Sequence, residues 1–432
     1  MTIAAVNLWG RRIGAVSLAE GADVATFAYE PAFLRSQIEV APLFMPLSDR
    51  IYSFSGLNPE SFYGLPGMLA DALPDRYGHT LINAWLATQG RTPDSADAVE
   101  RLCYMASRGM GALEFTPAAG PRTRKSERVH IETLVELASE VLTNRNTLQV
   151  SFGDPDKADA LREILQVGAS AGGARAKAII AWNPETNEVR SGQVDAGDGF
   201  GYWLLKFDGV SDNRDRGLAD PQGFGAVEFA YSEMAKAAGI TMTDCRLLPE
   251  GGRRHFMTRR FDRTETGGKL HMQSLAALAH YDYCSPDSYT YEQAFQVMRQ
   301  LNLPMDQMEE LFRRMTFNVV ARNQDDHVKN IAFLMDRNGV WSLSPAYDVT
   351  WALDLTNQWL RQHQMSVNGR RKDISRADLE ACAATASINA TRARAIIDEV
   401  VATVADWPRF AEAAEVDDFM RKSIDPSLKA DF

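Results

Sequence analysis

The sequence predicts an α+β chain with two lobes and a β-rich accessory part in front of them. Three observations lead there. Short alternating segments dominate up to about residue 265, and apolar patterns of period 3.6 dominate from about residue 273. Residues of catalytic character fall where the first regime gives way to the second, as expected of a site between two packed layers.

The elements follow in order. Ile3 to Leu8, a turn at Gly10-Arg11-Arg12 and Ile13 to Leu18 read as a hairpin. Loop-rich sequence with Pro31, Pro42, Pro46 and Pro59 comes next, then a helix from about His79 to Gln89. Ser107 to Phe115 reads as a turn followed by a strand. Thr116 to Arg128, with prolines, a glycine and basic residues, reads as a linker, and a helix is expected over Ile131 to Thr143. Ala176 to Trp182 is an apolar strand, Asn183 to Asn187 a turn, and Tyr202 to Phe207 another strand. Ala226 to Ala238 has helical periodicity and stops at Gly239, a C-cap residue. His255 to Phe261 is a third strand candidate, and helices are expected near 290–302, 305–322, 376–388 and 391–413. The division is an accessory part over 1–120, a nucleotide-binding lobe over 121–265 and a helical lobe with the catalytic loop over 266–432.

Composition narrows the function classes. Of the 432 residues, 45% are hydrophobic and 24% charged, as in ordinary globular proteins. A formal net charge of -11 disfavours strong non-specific binding to DNA or anionic membranes. Arg253, Arg254, Arg259, Arg260 and Arg263, and separately Arg370, Arg371 and Lys372, read as solvated charged faces. The four cysteines (103, 245, 284 and 382) form no CxxC pair, which argues against a zinc site or a disulfide framework and for a reducing cytoplasm. The N-terminus lacks the pattern of a signal peptide, and no apolar run is long enough for a membrane span.

The chemistry centres on Asn323-Gln324-Asp325-Asp326-His327-Val328-Lys329-Asn330. An amphipathic helix over about Met305 to Arg322 leads into it. A hairpin follows, Ile331 to Met335, Asp336 to Gly339 as turn and Val340 to Leu343, and then Ser344-Pro345-Ala346-Tyr347-Asp348. Phosphoryl transfer needs a carboxylate at the attacking hydroxyl, an asparagine for one magnesium, and a further carboxylate for the metals bridging the phosphates. Asp325 and Asn330 have the five-residue spacing of a kinase base and metal asparagine, and Asp326 is the alternative base in a shifted register. Upstream, Gly168 to Lys177 is rich in small residues that let backbone N–H groups approach phosphates, though it is neither a Walker A loop nor G-x-G-x-x-G. Lys206 is the one charge in Tyr202 to Phe207, and Glu228 and Glu233 on the next helix are its candidate partners. The four pieces stand in kinase order, which is far more specific than any one of them.

On these residues the chain resembles the HipA family, kinase toxins of bacterial toxin–antitoxin modules. The resemblance is carried by Pro66 to Asp75 and Gly111-Ala112-Leu113 in the accessory part. In the kinase part it is carried by Ser170-x-x-Gly173-Ala174-x-x-Lys177, Leu205-Lys206-Phe207, Arg260-Phe261-Asp262-Arg263, Asp325-x-His327-x-Lys329-Asn330 and Tyr347-Asp348. It implies a two-lobed protein-kinase-like fold, ATP and Mg2+ as cofactors, and Asp325 as catalytic base with Lys206 on the ATP phosphates. It implies Asn330 and Asp348 as metal ligands. Gly172, Gly173, Ala174, Arg175, Ala176 and Lys177 would cover the nucleotide, with Arg259, Arg260 and Phe261 as the hinge beside the adenine and His327 and Lys329 in the pocket. Ser170 would be an autophosphorylation site, a protein hydroxyl the acceptor, and a small DNA-binding antitoxin (HipB-like) the partner, so that DNA is met only through it. Asp326 stands where relatives often have glycine, Arg175 and Ala176 replace more usual polar and acidic residues, and Arg259 replaces a common hinge glutamate. A small-molecule kinase on the same lobes and a non-catalytic co-repressor are the alternatives.

Overall fold

A computed structural model describes residues 1–120, 128–143, 175–210, 222–264, 267–430 and 432, together with the backbone of two short strands at 214–215 and 218–219. The chain opens with β1 (Thr2–Leu8) and β2 (Arg11–Leu18), a hairpin whose register runs from Thr2↔Leu18 to Leu8↔Arg11. Ala4, Val6 and Leu8 alternate into the core, as a half-buried strand requires. The turn lies one residue earlier than expected, at Trp9-Gly10, both with positive φ, the backbone of a two-residue hairpin loop. With β3 (Thr26–Tyr29), β4 (Ile51–Tyr52) and β5 (Leu113–Thr116) the hairpin makes a five-stranded sheet, β4-β3-β2-β1-β5. Between β4 and β5 lie α1 (Pro59–Phe62), α2 (Gly67–Ala70), α3 (Arg76–Thr88) and α4 (Ala98–Met105).

Helix α5 (Ile131–Thr143) precedes a second sheet. Its strands are β6 (Lys177–Trp182), β7 (Val189–Ser191), β8 (Gly201–Lys206) and, after the two short strands β9 (Arg214–Asp215) and β10 (Leu218–Ala219), β11 (Cys245–Glu250) and β12 (Arg253–Arg259). The order is β11-β12-β8-β6-β7, antiparallel throughout. The strand expected to end at Phe261 ends at Arg259, because Arg260 turns its N–H to the Tyr202 carbonyl. One core joins this sheet to α5 and to α3 of the N-terminal part: Leu134, Ala138, Ile180, Leu205 and Met257 pack with Tyr77 and Leu81. Helix α6 (Phe224–Ala237) follows β10 and starts at Gly223, whose φ of 96° suits glycine alone.

The rest is mainly helical. Strand β13 (His271–Ser274) pairs with β15 (Ala332–Met335), which makes a hairpin with β16 (Trp341–Leu343). Around them stand α7 (Leu275–Ala279), α8 (Tyr291–Gln300), α9 (Met305–Val320), α10 (Arg376–Thr385), α11 (Ala390–Ala405) and α12 (Trp407–Ala413). Helix α9 is the spine, with Leu311, Phe312, Met315, Phe317, Val319 and Val320 fully buried. The single helix expected over 391–413 is two, since Pro408 has no N–H to continue α11 and instead sits in the first turn of α12. The architecture is α+β with two lobes, as expected. Among the described residues no helix is long and apolar enough to cross a membrane.

Candidate active site

The loop after α9 is held on both sides. The Gln324 N–H donates to the Ala352 carbonyl and the Ala352 N–H to that of Arg322. Two adjacent carboxylates then part company. Asp326 turns inward, only 3% exposed, and accepts from the Tyr291 hydroxyl at 2.8 Å and the Gln364 N–H at 2.8 Å, with His363 Nδ1 at 2.9 Å. Asp325 stays half-buried and lines a cavity of about 440 Å³. The Asn330 amide donates from Nδ2 to the Asp325 carbonyl at 2.8 Å, so its oxygen is the atom left for a cation. Two like-charged neighbours in one loop thus part by burial: the anchor is Asp326, and the carboxylate presented to the cavity is Asp325.

Lys206, the last residue of β8, reaches into the same space. Its Nζ lies 2.5 Å from Glu228 Oε1 and 2.5 Å from Asp348 Oδ1. Of the two candidate glutamates, Glu228 is the partner, while Glu233 pairs with Lys236. Burial works against the Lys206 charge, but Asp348 and Glu228 outweigh it and push the pKa up. Burial likewise raises the Asp348 carboxyl, and Lys206, with Lys177 and Arg175 behind it, overcomes this and brings it below the ordinary range. Asp348 has φ +51°, an uncommon backbone for aspartate that aims its carboxylate back at Lys206. Tyr347, just before it, donates its hydroxyl to the Lys329 carbonyl at 2.5 Å.

Lys206, Asp325, His327, Lys329, Asn330, Asp348, Arg175 and Lys177 all line the 440 Å³ cavity. A second, more apolar space of about 100 Å³ adjoins it and is lined by Arg259, Arg260 and Phe261 along with Leu204, Met242 and Val349. His327, Lys329, Asn330 and Asp348 border both. Some expected residues are placed otherwise. Ala176 is fully buried and its carbonyl accepts the Phe207 N–H. The Arg260 guanidinium turns away to Asp262, 2.8 Å, at 1% side-chain exposure. Arg263 joins it on Asp262 Oδ2 at 2.8 Å, so these two are buried ion-paired arginines and not the solvated face expected. The Arg259 N–H goes to the Asp244 carbonyl and its carbonyl accepts the Thr243 hydroxyl, both at 2.8 Å. Ser170, Gly172, Gly173 and Ala174 lie outside the described residues.

Sequence reasoning missed what the N-terminal part contributes. Asp75 Oδ2 pairs with Lys177 at 2.9 Å, and Asp71 accepts from the Ser274 N–H and hydroxyl at 2.7 and 2.9 Å. Tyr63, Tyr283 and Trp359 also line the larger cavity. These are long-range contacts with no local spacing to betray them.

The family model described as the HipA-like C-terminal domain matches residues 169–407, and the one described as the HipA N-terminal domain matches 4–116. The chain belongs to the HipA family. Y4mE of Sinorhizobium fredii (strain NBRC 101917 / NGR234), provisionally named a kinase, is 24% identical over 372 residues, 81% of this chain and 77% of that protein. Among solved structures, the HipA-family fold recurs in a chain of the Shewanella oneidensis MR-1 complex of HipA, HipB and operator DNA. The two align with a TM-score of 0.66 at 15% identity, over 99% of this chain and 95% of that one. That likeness is one of fold.

Proposed function

We propose that this HipA-family chain is an ATP- and magnesium-dependent serine/threonine protein kinase that also phosphorylates itself on Ser170. The observation that carries it is Lys206 held between Glu228 and Asp348, opposite Asn330 and Asp325 across one cavity. A buried lysine fixed by two carboxylates is positioned to take the α- and β-phosphates, and the apolar space beside Phe261 to take the base. Among the described residues no group of three or more His, Cys, Asp or Glu could hold a metal by itself. That fits magnesium, which takes one or two protein oxygens and completes its octahedron with phosphates and water. The oxygens here are those of Asp348 and the Asn330 amide. Bound there, magnesium supplies charge to the phosphates. The side chains do the rest. Asp325 orients the acceptor hydroxyl and receives its proton, Lys206 and Lys177 hold negative charge, and the apolar space beside Phe261 seats the base. Arg175, whose guanidinium lies 4.4 Å over the Phe224 ring and 3.9 Å from Glu228, stands with Ala176 at the end of the loop 172–177 that would cover the nucleotide.

The fold shared with a HipA crystallised with HipB and DNA supports a HipB-like partner, DNA being reached through it. The test is to incubate the chain with Mg-ATP and read intact mass and phosphopeptides beside Asp325→Asn. Phosphate on Ser170 of the parent, and a rate ~10²–10⁴-fold lower in the variant, is the expected result. Equal phosphorylation of both would overturn the role of Asp325.

A further inference from the structure

Asp325 sits between two buried pins. Asn323 donates from Nδ2 to Asn318 Oδ1 at 3.0 Å, and Asn318 donates from Nδ2 to the Tyr291 hydroxyl at 3.0 Å. Asp326, on the other side, accepts from that same hydroxyl. The loop is thus closed through Tyr291, which is 1% exposed and opens α8 behind a capping box of Thr290 and Gln293. Asn323, Gln324 and Asp326 are buried, and Asp325 alone of the four is half-buried.

Asp326 also meets a second segment. His363 Nδ1 and the Gln364 N–H both reach its carboxylate, at 2.9 and 2.8 Å. Their stretch is fastened in turn to the start of α8. Strand β17 (Met365–Ser366) runs parallel to β14 (Tyr289–Thr290), the His363 N–H donates to the Arg371 carbonyl at 3.0 Å, and Arg371 Nη2 donates to the Tyr289 carbonyl at 2.9 Å. Gln364 Nε2 holds the Trp359 carbonyl, and Trp359 and Leu360 line the larger cavity. A carboxylate only accepts, so His363 Nδ1 carries the hydrogen of its bond. The other ring nitrogen, Nε2, is buried with no hydrogen-bond partner among the described residues, so the ring has its polar tie at Asp326.

Packing alone does not ask for a carboxylate at 326. Burying one is costly unless it is fully hydrogen-bonded, and an apolar side chain would fill the space at less cost. A carboxylate with three donors adds direction, because each donor loses its partner when the loop shifts.

We infer that His363 is a positioning residue for phosphoryl transfer: through Asp326 it fixes the loop that presents Asp325, and it locks to that loop the segment bearing Trp359 and Leu360. The inference rests on the kinase reading and adds to it a residue remote from the reactants. His363 is 2% exposed and lines neither of the two spaces of the site, so it acts through Asp326. Lys206, Glu228 and Asp348 stand on other elements, so the latch governs the rate of transfer and not the binding of Mg-ATP.

The test follows self-phosphorylation of the full chain over a range of Mg-ATP concentrations. His363→Ala should lower the rate at saturating Mg-ATP ~10–100-fold, the scale of a displacement of ~1 Å. Its calorimetric affinity for Mg-ATP should stay within ~3-fold of the parent's. His363→Asn puts an amide N–H close to the place of Nδ1 and should keep the rate within ~3-fold of the parent's. His363→Gln puts it where Nε2 stands and should not. This second pair, alike in polarity and size, carries the comparison if His363→Ala does not fold. Because His363 acts through Asp326, adding His363→Ala to Asp326→Ala should cost less than ~2-fold more. Amide hydrogen exchange without nucleotide gives a second readout. His363→Gln should speed exchange over 322–330 as well as over 359–368, with α11 unchanged. A residue that holds only its own segment would loosen 359–368 alone. An unchanged rate in His363→Ala, equal losses in His363→Asn and His363→Gln, independent losses in the double variant, or loosening confined to 359–368 would overturn the inference. A parent that phosphorylates nothing, itself included, fails the kinase reading and takes the catalytic role of the latch with it. An active parent matched by all its His363 variants fails the positioning role alone.

Discussion

The ion pair between Lys177 and Asp75 allows a worked test of how the N-terminal part is tied to the second sheet. Both side chains are 3% exposed, with Nζ 2.9 Å from Oδ2. Asp75 also caps α3, accepting the Gly78 N–H at 2.6 Å, and burial already pushes its pKa up against the pull of Lys177. Lys177→Met keeps length and removes charge, stranding a buried carboxylate, at a cost of ~3–5 kcal/mol. Asp75→Asn keeps a capping oxygen but strands an ammonium, a cost of the same order. The double variant leaves neither charge and should lie within ~1 kcal/mol of the parent. The predicted coupling is therefore ~3 kcal/mol or more, read by urea denaturation at pH 7 from the midpoint at constant slope. A Lys177→Met protein within ~1 kcal/mol of the parent, well short of the ~3–5 kcal/mol that breaking a buried pair costs, or a double variant as unstable as the two singles added, would refute the reasoning. The same proteins separate two roles of Lys177. If it also holds nucleotide phosphate, the double variant recovers stability but not Mg-ATP affinity, which should fall ~10–100-fold with the loss of a charged hydrogen bond.

Asp348→Ala should weaken Mg-ATP binding in calorimetry and, by removing one of two carboxylates on Lys206, bring the lysine pKa down; unchanged affinity removes its assigned role. Asp262→Ala should be among the most destabilising single changes, ~3–5 kcal/mol, because it leaves the buried Arg260 and Arg263 without their shared carboxylate and the Gly111 N–H without its acceptor at 2.7 Å; a loss below 1 kcal/mol in urea would contradict it. Stability should also fall on mild acidification. Burial lowers His271 and His79 from 6.5 to about 3, so below pH 6.5 the unfolded chain takes protons the folded chain refuses. Each then loses ~2 kcal/mol by pH 5. Denaturation curves at pH 7 and 5 should show the drop, and His271→Gln should show less of it than the parent.

The reactive set was readable because its members are spaced by local geometry. A helix, a loop, a hairpin and a second acidic residue follow one another in chain, and each leaves its own pattern. What could not be read is rotation. Glu228 and Glu233 both lie on α6, and five residues at 100° each put them 140° apart, so only one can face β8, but periodicity alone does not say which. The same holds for Asp325 and Asp326, where the inward turn depends on Tyr291, Gln364 and His363, all far away in sequence. The reading of the arginine cluster failed for a different reason. Exposed charge is the common case, but Asp262 sits between Arg260 and Arg263 and lets all three leave water together. Pro408 was a local signal that the long periodic run hid.

The N-terminal part has more than a covering role. Its α3 closes the face of the β6–β8–β12 sheet through Tyr77 and Leu81, and Asp75 on that helix holds Lys177 at the start of β6. Its Gly109 and Gly111 engage the Arg260–Asp262–Arg263 cluster directly after the hinge strand. Asp71 fixes Ser274, the N-cap of α7, and α1 is joined to Asp282 beside the cavity. Apart from the apolar packing of α3, each tie is polar and directional, and each ends within a few residues of a group that lines the site. Buried hydrogen-bonded groups lock geometry in a way that apolar contact does not, since a shift of one partner leaves the other unsatisfied. A movement of the N-terminal part would therefore be felt at the start of β6, at the end of β12 and at the turn that carries Asp282 together. The setting of Asp325 in its cavity is consequently a property of both parts of the chain and not of the helical lobe alone.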